Sequence, residues 1–462
     1  MAKPTQPKTE YVLRVDPDKR LADTIKRLLR RDAHTSLKKI VAKTHAADLS
    51  VVFHSLTLSE QHRLFGMISD IEQKGILFSE LDEDVFLNLV EDMPVESLLA
   101  ILEEMPADDV ADIIGRFPEE KADEILKQMD LKESEEVEGL LRYDDETAGG
   151  IMTPDFVALK ENMTAAEAIR SLQEEHLDVE MPFYLYVVDE HDRLVGVISL
   201  RQLVVVSPDT RLKDFMTTDV LSVMTDMDQE EVAKIVARYD ILAVPVVDEG
   251  NHLVGIVTVD DVIDIFRREA TEDILKMAGV GDEFVETKSV LTSTRIRLPW
   301  LFASCFGGII AFYVIGRFES SLSRLSYLAA FIPIIMGMGG NIGNQSATIV
   351  VRGLATGRFN IGDMRRVVSK ELLVGSILGV FYGLLIGMVA QFQYSLSTLG
   401  LAVGLAVLSS MVVAALVGSM VPMLFARLNI DPAVATGPFV STSIDIVSVF
   451  FYLKIATILL GL

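Results

Sequence analysis

Gly337-Met338-Gly339-Gly340-Asn341-Ile342-Gly343-Asn344-Gln345 places four glycines and three amides in nine residues of an apolar run at 328–351. That run has about the ~20 residues needed to cross a bilayer core. Four more runs of similar length lie at 298–315, 372–392, 399–425 and 433–459. Together they predict five membrane-spanning helices. Non-helical backbone at membrane depth is tolerated only where it is buried or lines water. The expectation for 337–345 is therefore opened backbone facing a pore. Its carbonyls, Gly340 among them, and the amides of Asn341 and Asn344 would offer neutral oxygens to a hydrated cation. Close helix packing through small residues is the competing reading. It accounts for the glycines but not for three amides so close together.

The fifth run carries Thr436-Gly437-Pro438 and then Ser441-Thr442-Ser443-Ile444-Asp445. Asp445 is the only acid within the five runs as bounded above. A carboxylate at the bilayer centre costs about 2.5–3.5 kcal/mol on insertion scales, so it should face a cavity. Magnesium is a hard cation that keeps several waters and takes one or two carboxylates. One Asp445 from each of two symmetry-related chains would suit such an ion, with Ser441 one helical turn away. The alternatives are a protonated aspartate bonded to nearby hydroxyls, or a pair with Lys454. Lys454 lies about 13 Å further along a helix. If the helix continues through Pro438, the proline leaves the carbonyl of Val434 without a donor and predicts a kink.

Charge is divided along the chain. The residues before Leu298 hold 62 acids and 33 bases, and those from Leu298 onward hold 5 acids and 9 bases. An acidic half followed by an apolar half is the charge map of a membrane protein. The acidic half repels nucleic acid, and no nucleic-acid partner is expected. Arg352, Arg358, Arg365, Arg366 and Lys370 lie between the second and third runs, whereas no base lies between the third and fourth. The positive-inside tendency puts the basic loop, and with it the N-terminal half, in the cytoplasm. The first residues are polar, so no cleavable signal peptide is expected. The segment 19–43 is basic and amphipathic and reads as a solvated helix face. Cys305 is the single cysteine, which excludes a disulfide framework within the chain.

Two repeats organise the acidic half. Met93-Pro94, Met105-Pro106 and Phe117-Pro118 recur every 12 residues, each followed by acids. A proline in the first turn loses no donor, so each predicts the start of a short helix. Leu98, Leu99, Ile101 and Leu102 would then face inward, giving an all-α superhelical stack. The second repeat pairs Val187-Val188-Asp189-Glu190 with Val246-Val247-Asp248-Glu249. It also pairs Leu194-Val195-Gly196-Val197-Ile198-Ser199-Leu200 with Leu253-Val254-Gly255-Ile256-Val257-Thr258-Val259. Met152-Thr153-Pro154-Asp155 precedes the first copy as Met216-Thr217-Thr218-Asp219 precedes the second. Each copy predicts strand, helix, strand, turn, strand, helix, with turns at His191-Asp192 and Gly250-Asn251. This pattern resembles a tandem pair of α+β CBS domains. The segment after Asp261 is charged, with a helical pattern and no turn signal before Gly279, and predicts a rigid connecting helix. The expected domains are 1–145, 146–265, 266–297 and 298–462.

Gly339-Gly340-Asn341-Ile342-Gly343-Asn344-Gln345-Ser346-Ala347-Thr348 resembles the second-span signature of MgtE-type magnesium transporters, as do Asp431-Pro432-Ala433 and the Asp445 region. The order of parts is similar as well. The resemblance implies a homodimeric Mg²⁺-selective channel of the bacterial inner membrane, with its pore near Asp445 between subunits. It also implies that cytosolic Mg²⁺ closes the pore. The implied sensor ligands are Asp108 and Asp112 in the helical domain and Asp228, Glu230 and Asp240 in the second CBS copy. Asp261, Asp264, Glu269, Glu272 and Asp273 follow at its end and in the connecting helix. Gly437 stands where some members have Asn. Thr258-Val259-Asp260-Asp261 resembles the ribose-contacting element of nucleotide-binding CBS domains, so ATP at Thr258 and Asp261 is a further expectation.

Physical chemistry supports the sensor reading. Asp261 and Asp264, Glu269 and Glu272, and Asp108 and Asp112 each share a helical face. Like charges there oppose compaction, and a divalent ion bound to them would favour the compact form by linkage. Solvated faces paired with Arg267 and Arg268 are the plainer alternative. A carrier for Co²⁺ or Mn²⁺ and a membrane-anchored nucleotide sensor also stay open. The absence of Cys and His near Asp445 favours a hard ion. No nucleophile–base constellation or nucleotide-hydrolysis loop is present, so an enzyme is not expected.

Overall fold

The computed structural model describes residues 17–175, 183–280, 290–434 and 437–461. It divides into two compact bodies, Met1–Ile265 and Phe266–Leu462.

The first body opens with short helices: α1 (Pro17–Arg30), α2 (His34–Val41), α3 (Ala46–His54), α4 (Leu58–Phe65), α5 (Ile71–Ser79) and α6 (Glu83–Val90). Then come α7 (Val95–Leu102), α8 (Ala107–Gly115), α9 (Glu119–Leu126) and α10 (Leu131–Leu140). Pro94, Pro106 and Pro118 each stand immediately before a helix rather than inside its first turn. Their carbonyls accept the first helical bonds, from the N–H groups of Leu98, Val110 and Ala122 at 3.0–3.2 Å. Acids fill the first turns that follow, where the helix dipole favours them. Leu98, Leu99, Ile101 and Leu102 are buried as expected.

The two CBS copies repeat one plan. In the first, β1 (Ala158–Lys160) pairs parallel with β2 (Tyr184–Val188), which pairs antiparallel with β3 (Leu194–Ser199). α11 (Ala165–Glu175) crosses over, and α12 (Leu200–Val205) follows β3. In the second, β4 (Val223–Met224), α13 (Gln229–Tyr239), β5 (Ala243–Val247) and β6 (Leu253–Thr258) repeat the order. The turns match in detail. Asp192 and Asn251 both take left-handed φ, 61° and 60°. Asp189 accepts the N–H groups of His191 and Arg193, as Asp248 accepts those of Gly250 and His252. The copies also exchange arms. Thr153 pairs with Ile256 on β6, and Thr217 pairs with Val197 on β3. Gly255 and Gly196 make room: a Cβ there would come within 2.6 Å and 2.4 Å of the Met152 and Met216 sulfurs. The core of the helical stack continues into the second copy, joining Phe78, Phe86 and Ile113 to Val232, Val257 and Ile265.

α14 (Val259–Met277) follows β6, and Gly279 (φ 73°) lies just past its end. The connecting helix therefore starts at Val259 and stops at Met277. Residues 281–289 lie outside the described residues, and the helix Val290–Gly316 carries the first span.

In the second body, five helices are long and apolar enough to cross a membrane among the described residues. These are α15 (Val290–Gly316), α17 (Ile332–Ala355), α18 (Met364–Tyr394), α19 (Ser397–Arg427) and α20 (Gly437–Leu460), with the short α16 (Glu319–Arg324) after the first. α19 is the central helix, packed against α17, α18 and α20. Two expectations change here. The glycine-rich stretch 337–345 is unbroken helix within α17, so its backbone oxygens stay in the helical ladder. Pro438 falls in the first turn of α20, where proline costs no helical bond, and no mid-span kink forms.

Candidate functional site

The glycines of α17 do two jobs. Gly339 and Gly343 face inward onto Ile444 of α20; a Cβ on Gly343 would lie 2.0 Å from that side chain. A Cβ on Gly418 of α19 would lie 2.3 Å from the carbonyl oxygen of Gly343, so α17 and α19 touch backbone to backbone. The Ser410 hydroxyl lies 2.7 Å from that of Ser448 and 3.3 Å from the carbonyl oxygen of Ile335, tying α19 to both α20 and α17. These contacts are small-residue helix packing. Gly337, Asn341, Asn344, Gln345 and Thr348 are exposed on the opposite side of α17, and a Cβ on Gly340 would meet nothing within 4 Å. The packing reading therefore accounts for the glycines of the inward face, the opened backbone is not formed, and the amides lie on the opposite face.

Asp445 follows Ile444, whose seat on Gly339 and Gly343 fixes α20 against α17. Asp445 is partly exposed, and among the described residues it has no hydrogen-bond or ion-pair partner. Neither alternative reading, a bond to nearby hydroxyls or a pair with Lys454, is formed. Ser441 donates to the carbonyl of Gly437 at 3.0 Å. The amide face of α17 lies about half a turn away from the Ile444 contact. One chain therefore does not gather Asn341, Asn344 and Asp445 around one point from the Ile444 side.

A second acid in this body escaped sequence reading. Glu371 stands one residue before the third apolar run yet lies inside α18, only 5% exposed. Its Oε2 accepts the hydroxyl of Ser346 on α17 at 2.8 Å. The end of α14 also meets the loop that precedes α20. Lys276 bridges Glu272 and Asp431, the latter at 2.8 Å, while Asp431 accepts the N–H of Ala433 at 2.7 Å. Burial opposes the ammonium charge, but the two carboxylates more than offset it and hold Lys276 above the usual lysine range. Gly437, at the start of α20, lies beside the backbone of Met277 and Gly279: a Cβ there would be 3.3 Å from the Met277 carbonyl.

In the first body the sensor candidates are dispersed. Asp108 is partly buried in the first turn of α8, and Asp112, one turn on, is exposed. Asp228 caps α13 by accepting the N–H of Glu230, Glu230 pairs with Lys234 at 3.0 Å, and Asp240 ends that helix in left-handed conformation. Asp264 is exposed on α14. Glu269, Glu272 and Asp273 lie on the stretch of α14 that belongs to the second body.

The fold does draw together Asp109 of α8 with Asp260 and Asp261 of α14. Burial pushes the carboxyl of Asp261 up to about 6, the hydroxyl of Thr258 opposes this, and Asp260 and Asp109 add repulsion. Burial likewise raises Asp109, with Ser79 and Arg116 acting the other way and Asp260 adding to the rise. Asp109 and Asp260 were not among the expected ligands. Both adjoin residues that were, but only tertiary packing brings acids of α8 and α14 to one another. Thr258 is fully buried, and its hydroxyl donates to Asp261 at 2.6 Å across the start of α14. Ser199 and Gln202 make the equivalent capping box at α12. The Ser/Thr-x-x-acid-or-amide spacing is thus a helix start in both copies, a signal present in the sequence. Among the described residues no three acids, histidines or cysteines converge as a metal cage.

Comparison with known proteins agrees with this layout. A family described as divalent cation transporter matches residues 332–455, the MgtE intracellular N domain matches 44–146, and CBS domains match 148–209 and 212–268. The magnesium transporter MgtE of Thermus thermophilus is 43% identical over 335 residues, covering 72% of this chain and 74% of that protein. The protein of the same name from Enterococcus faecalis is 42% identical over 326 residues, 71% and 72% of the two chains. The crystal structure of the cytosolic domain of the Mg²⁺ channel MgtE in complex with ATP covers 53% of this chain and 99% of that one. It matches with a TM-score of 0.50 and 37% identity. Fold and site together define an integral membrane protein with a regulatory half built from a helical domain and paired CBS domains. The chain belongs to the MgtE family of transporters.

Proposed function

We propose that this protein is a Mg²⁺-selective channel that imports magnesium and is closed by cytosolic Mg²⁺. The observation that carries the reading is Asp445, a carboxylate in a membrane-spanning helix with no protein partner among the described residues. A hydrated hard cation is the natural counterion for a single carboxylate, because Mg²⁺ keeps most of its waters. The exposed amides Asn341 and Asn344, on the face that Gly340 leaves open, are the neutral oxygens of the same pathway, with the hydroxyl of Ser441 one turn before Asp445. One chain supplies one carboxylate and leaves its amide face open. A homodimer with the pore between two copies would cover that face and place two Asp445 residues on one ion. The setting is the bacterial inner membrane, with the acidic half in the cytoplasm.

For gating, the repelling carboxylates Asp109, Asp260 and Asp261 support a cation-loaded sensor. Asp108, Asp112, Asp228, Glu230, Asp240 and Asp264 are further candidate ligands in the same body, and Glu269, Glu272 and Asp273 are candidates on the stretch of α14 that belongs to the second body. An adenine nucleotide is the second ligand proposed, for the second CBS copy. Because Thr258 already binds Asp261, nucleotide and cation would draw on the same carboxyl and influence one another. The deciding experiment is Mg²⁺ flux into liposomes with wild type, Asp445→Asn and Asp445→Ala. Both variants should lose most of the flux. Unchanged flux and selectivity would remove Asp445 from the pathway, and competition by Co²⁺ or Mn²⁺ tests the ion itself.

A further inference from the structure

The basic loop between the second and third spans builds a cavity of about 190 Å³. Its walls include Arg358, Phe359, Asp363, Arg366, Lys370 and Glu371. The loop is held in shape by its own bonds. Gly357 turns the chain in left-handed conformation (φ 65°), Thr356 donates its hydroxyl to the Arg352 carbonyl, and the N–H of Phe359 bonds to the carbonyl of Gly353. The Phe359 ring covers Gly353 so closely that a Cβ there would lie 2.1 Å from it.

The charges in the cavity are unevenly used. Asp363 accepts the N–H of Asn360, and Glu371 accepts the hydroxyl of Ser346. Arg358, Arg366 and Lys370 form no ion pair with any described residue. Arg366 and Lys370 sit one turn apart on a single helix face, an arrangement that is unfavourable without an anion between them. The space holds roughly six waters' worth of volume, which suits a phosphate with its adjoining glycerol carbons.

Depth selects the source of that phosphate. The apolar run of α18 starts at Leu372, so Lys370 and Arg366 stand about 3 and 9 Å outside the hydrocarbon edge. The headgroup layer is about 5–8 Å thick on each side, so Lys370 stands within it and Arg366 at its aqueous edge. We infer that this cavity is a binding site for the phosphate headgroup of an anionic phospholipid, with Arg358, Arg366 and Lys370 as its ligands and Phe359 against the glycerol. Basic pockets between membrane helices on this side are suited to such headgroups.

The test uses the full chain in detergent after reconstitution with phosphatidylglycerol, with bound lipid counted by native mass spectrometry. Wild type should retain phosphatidylglycerol in preference to phosphatidylcholine. Each base removed from the cavity should weaken retention about fivefold, so Arg366→Gln/Lys370→Gln should lose it almost entirely. Arg358→Gln, on the loop and outside any span, repeats the test if the double variant folds poorly. Arg365→Gln removes the same charge from a residue that does not line the cavity and should leave retention unchanged. Equal retention by all variants, or equal loss in Arg365→Gln, overturns the site. If inorganic phosphate displaces the lipid at comparable concentration and stabilises the protein as well, the lipid assignment is overturned in favour of free phosphate.

Discussion

Asp261→Asn should make the magnesium-free protein more stable while making it less responsive to magnesium. Asp261 is held up to about 6 from an ordinary 3.8, mainly by burial and then by Asp260 and Asp109. At 1.36 kcal/mol for each unit, keeping this group ionised in the folded state costs about 3 kcal/mol. The folded form binds the proton more tightly than the unfolded form. Stability is therefore greatest below about pH 4, falls through about pH 4–6, and carries the full penalty above that window. Asparagine removes the charge and keeps an oxygen for the Thr258 hydroxyl. In chelator at about pH 8 the variant should gain roughly 1–3 kcal/mol, because neighbouring acids relax part of the penalty in wild type. Hydrogen exchange of the full chain, read at α8 and α14, measures this directly. Added Mg²⁺ should then protect wild type more than the variant, since binding only the folded form stabilises by linkage. A variant less protected than wild type in chelator, or an equal Mg²⁺ response in both, would refute the carboxylate cluster as the sensor core.

Two further outcomes follow from the membrane body. Gly418→Ala would drive a methyl against the Gly343 carbonyl at 2.3 Å, with backbone on both sides and nothing flexible to yield. It should cost about 1–3 kcal/mol, read as a lower melting temperature in detergent, and an unchanged melting temperature would contradict the α17–α19 contact. Lys276→Gln removes the charge that joins Glu272 to Asp431. The lost pair is worth about 1 kcal/mol at this exposure, so closure by internal Mg²⁺ should need severalfold more ion in a flux assay. An unchanged closing concentration would show that this bridge does not carry the coupling.

Much of the architecture was legible because it is periodic. Apolar runs of membrane length, prolines every 12 residues and a duplicated strand–turn–strand are one-dimensional signals, and each maps onto one element. Asp445 was legible for a related reason: a charge inside an apolar run is costly wherever the chain goes. The reading failed where two structural solutions share one composition. The glycines and amides of 337–345 suggested opened backbone, whereas a straight helix satisfies both, with glycines against α19 and α20 and amides on the far side. Thr258 and Asp261 resembled a ribose contact and proved to cap a helix as well.

The sequence by itself determined the parts, their order, the five spans and the intramembrane acid. Hydrophobic periodicity and the cost of buried charge act locally along the chain, so they can be read there. Only the tertiary structure decided that Asp109 meets Asp260 and Asp261, that Glu371 is buried on Ser346, and that Lys276 reaches Asp431 across 155 residues. Those pairings depend on which face of each helix is covered by a neighbour distant in sequence. Burial, which sets both the carboxylate repulsion and the shape of the basic cavity, exists only once the helices have packed.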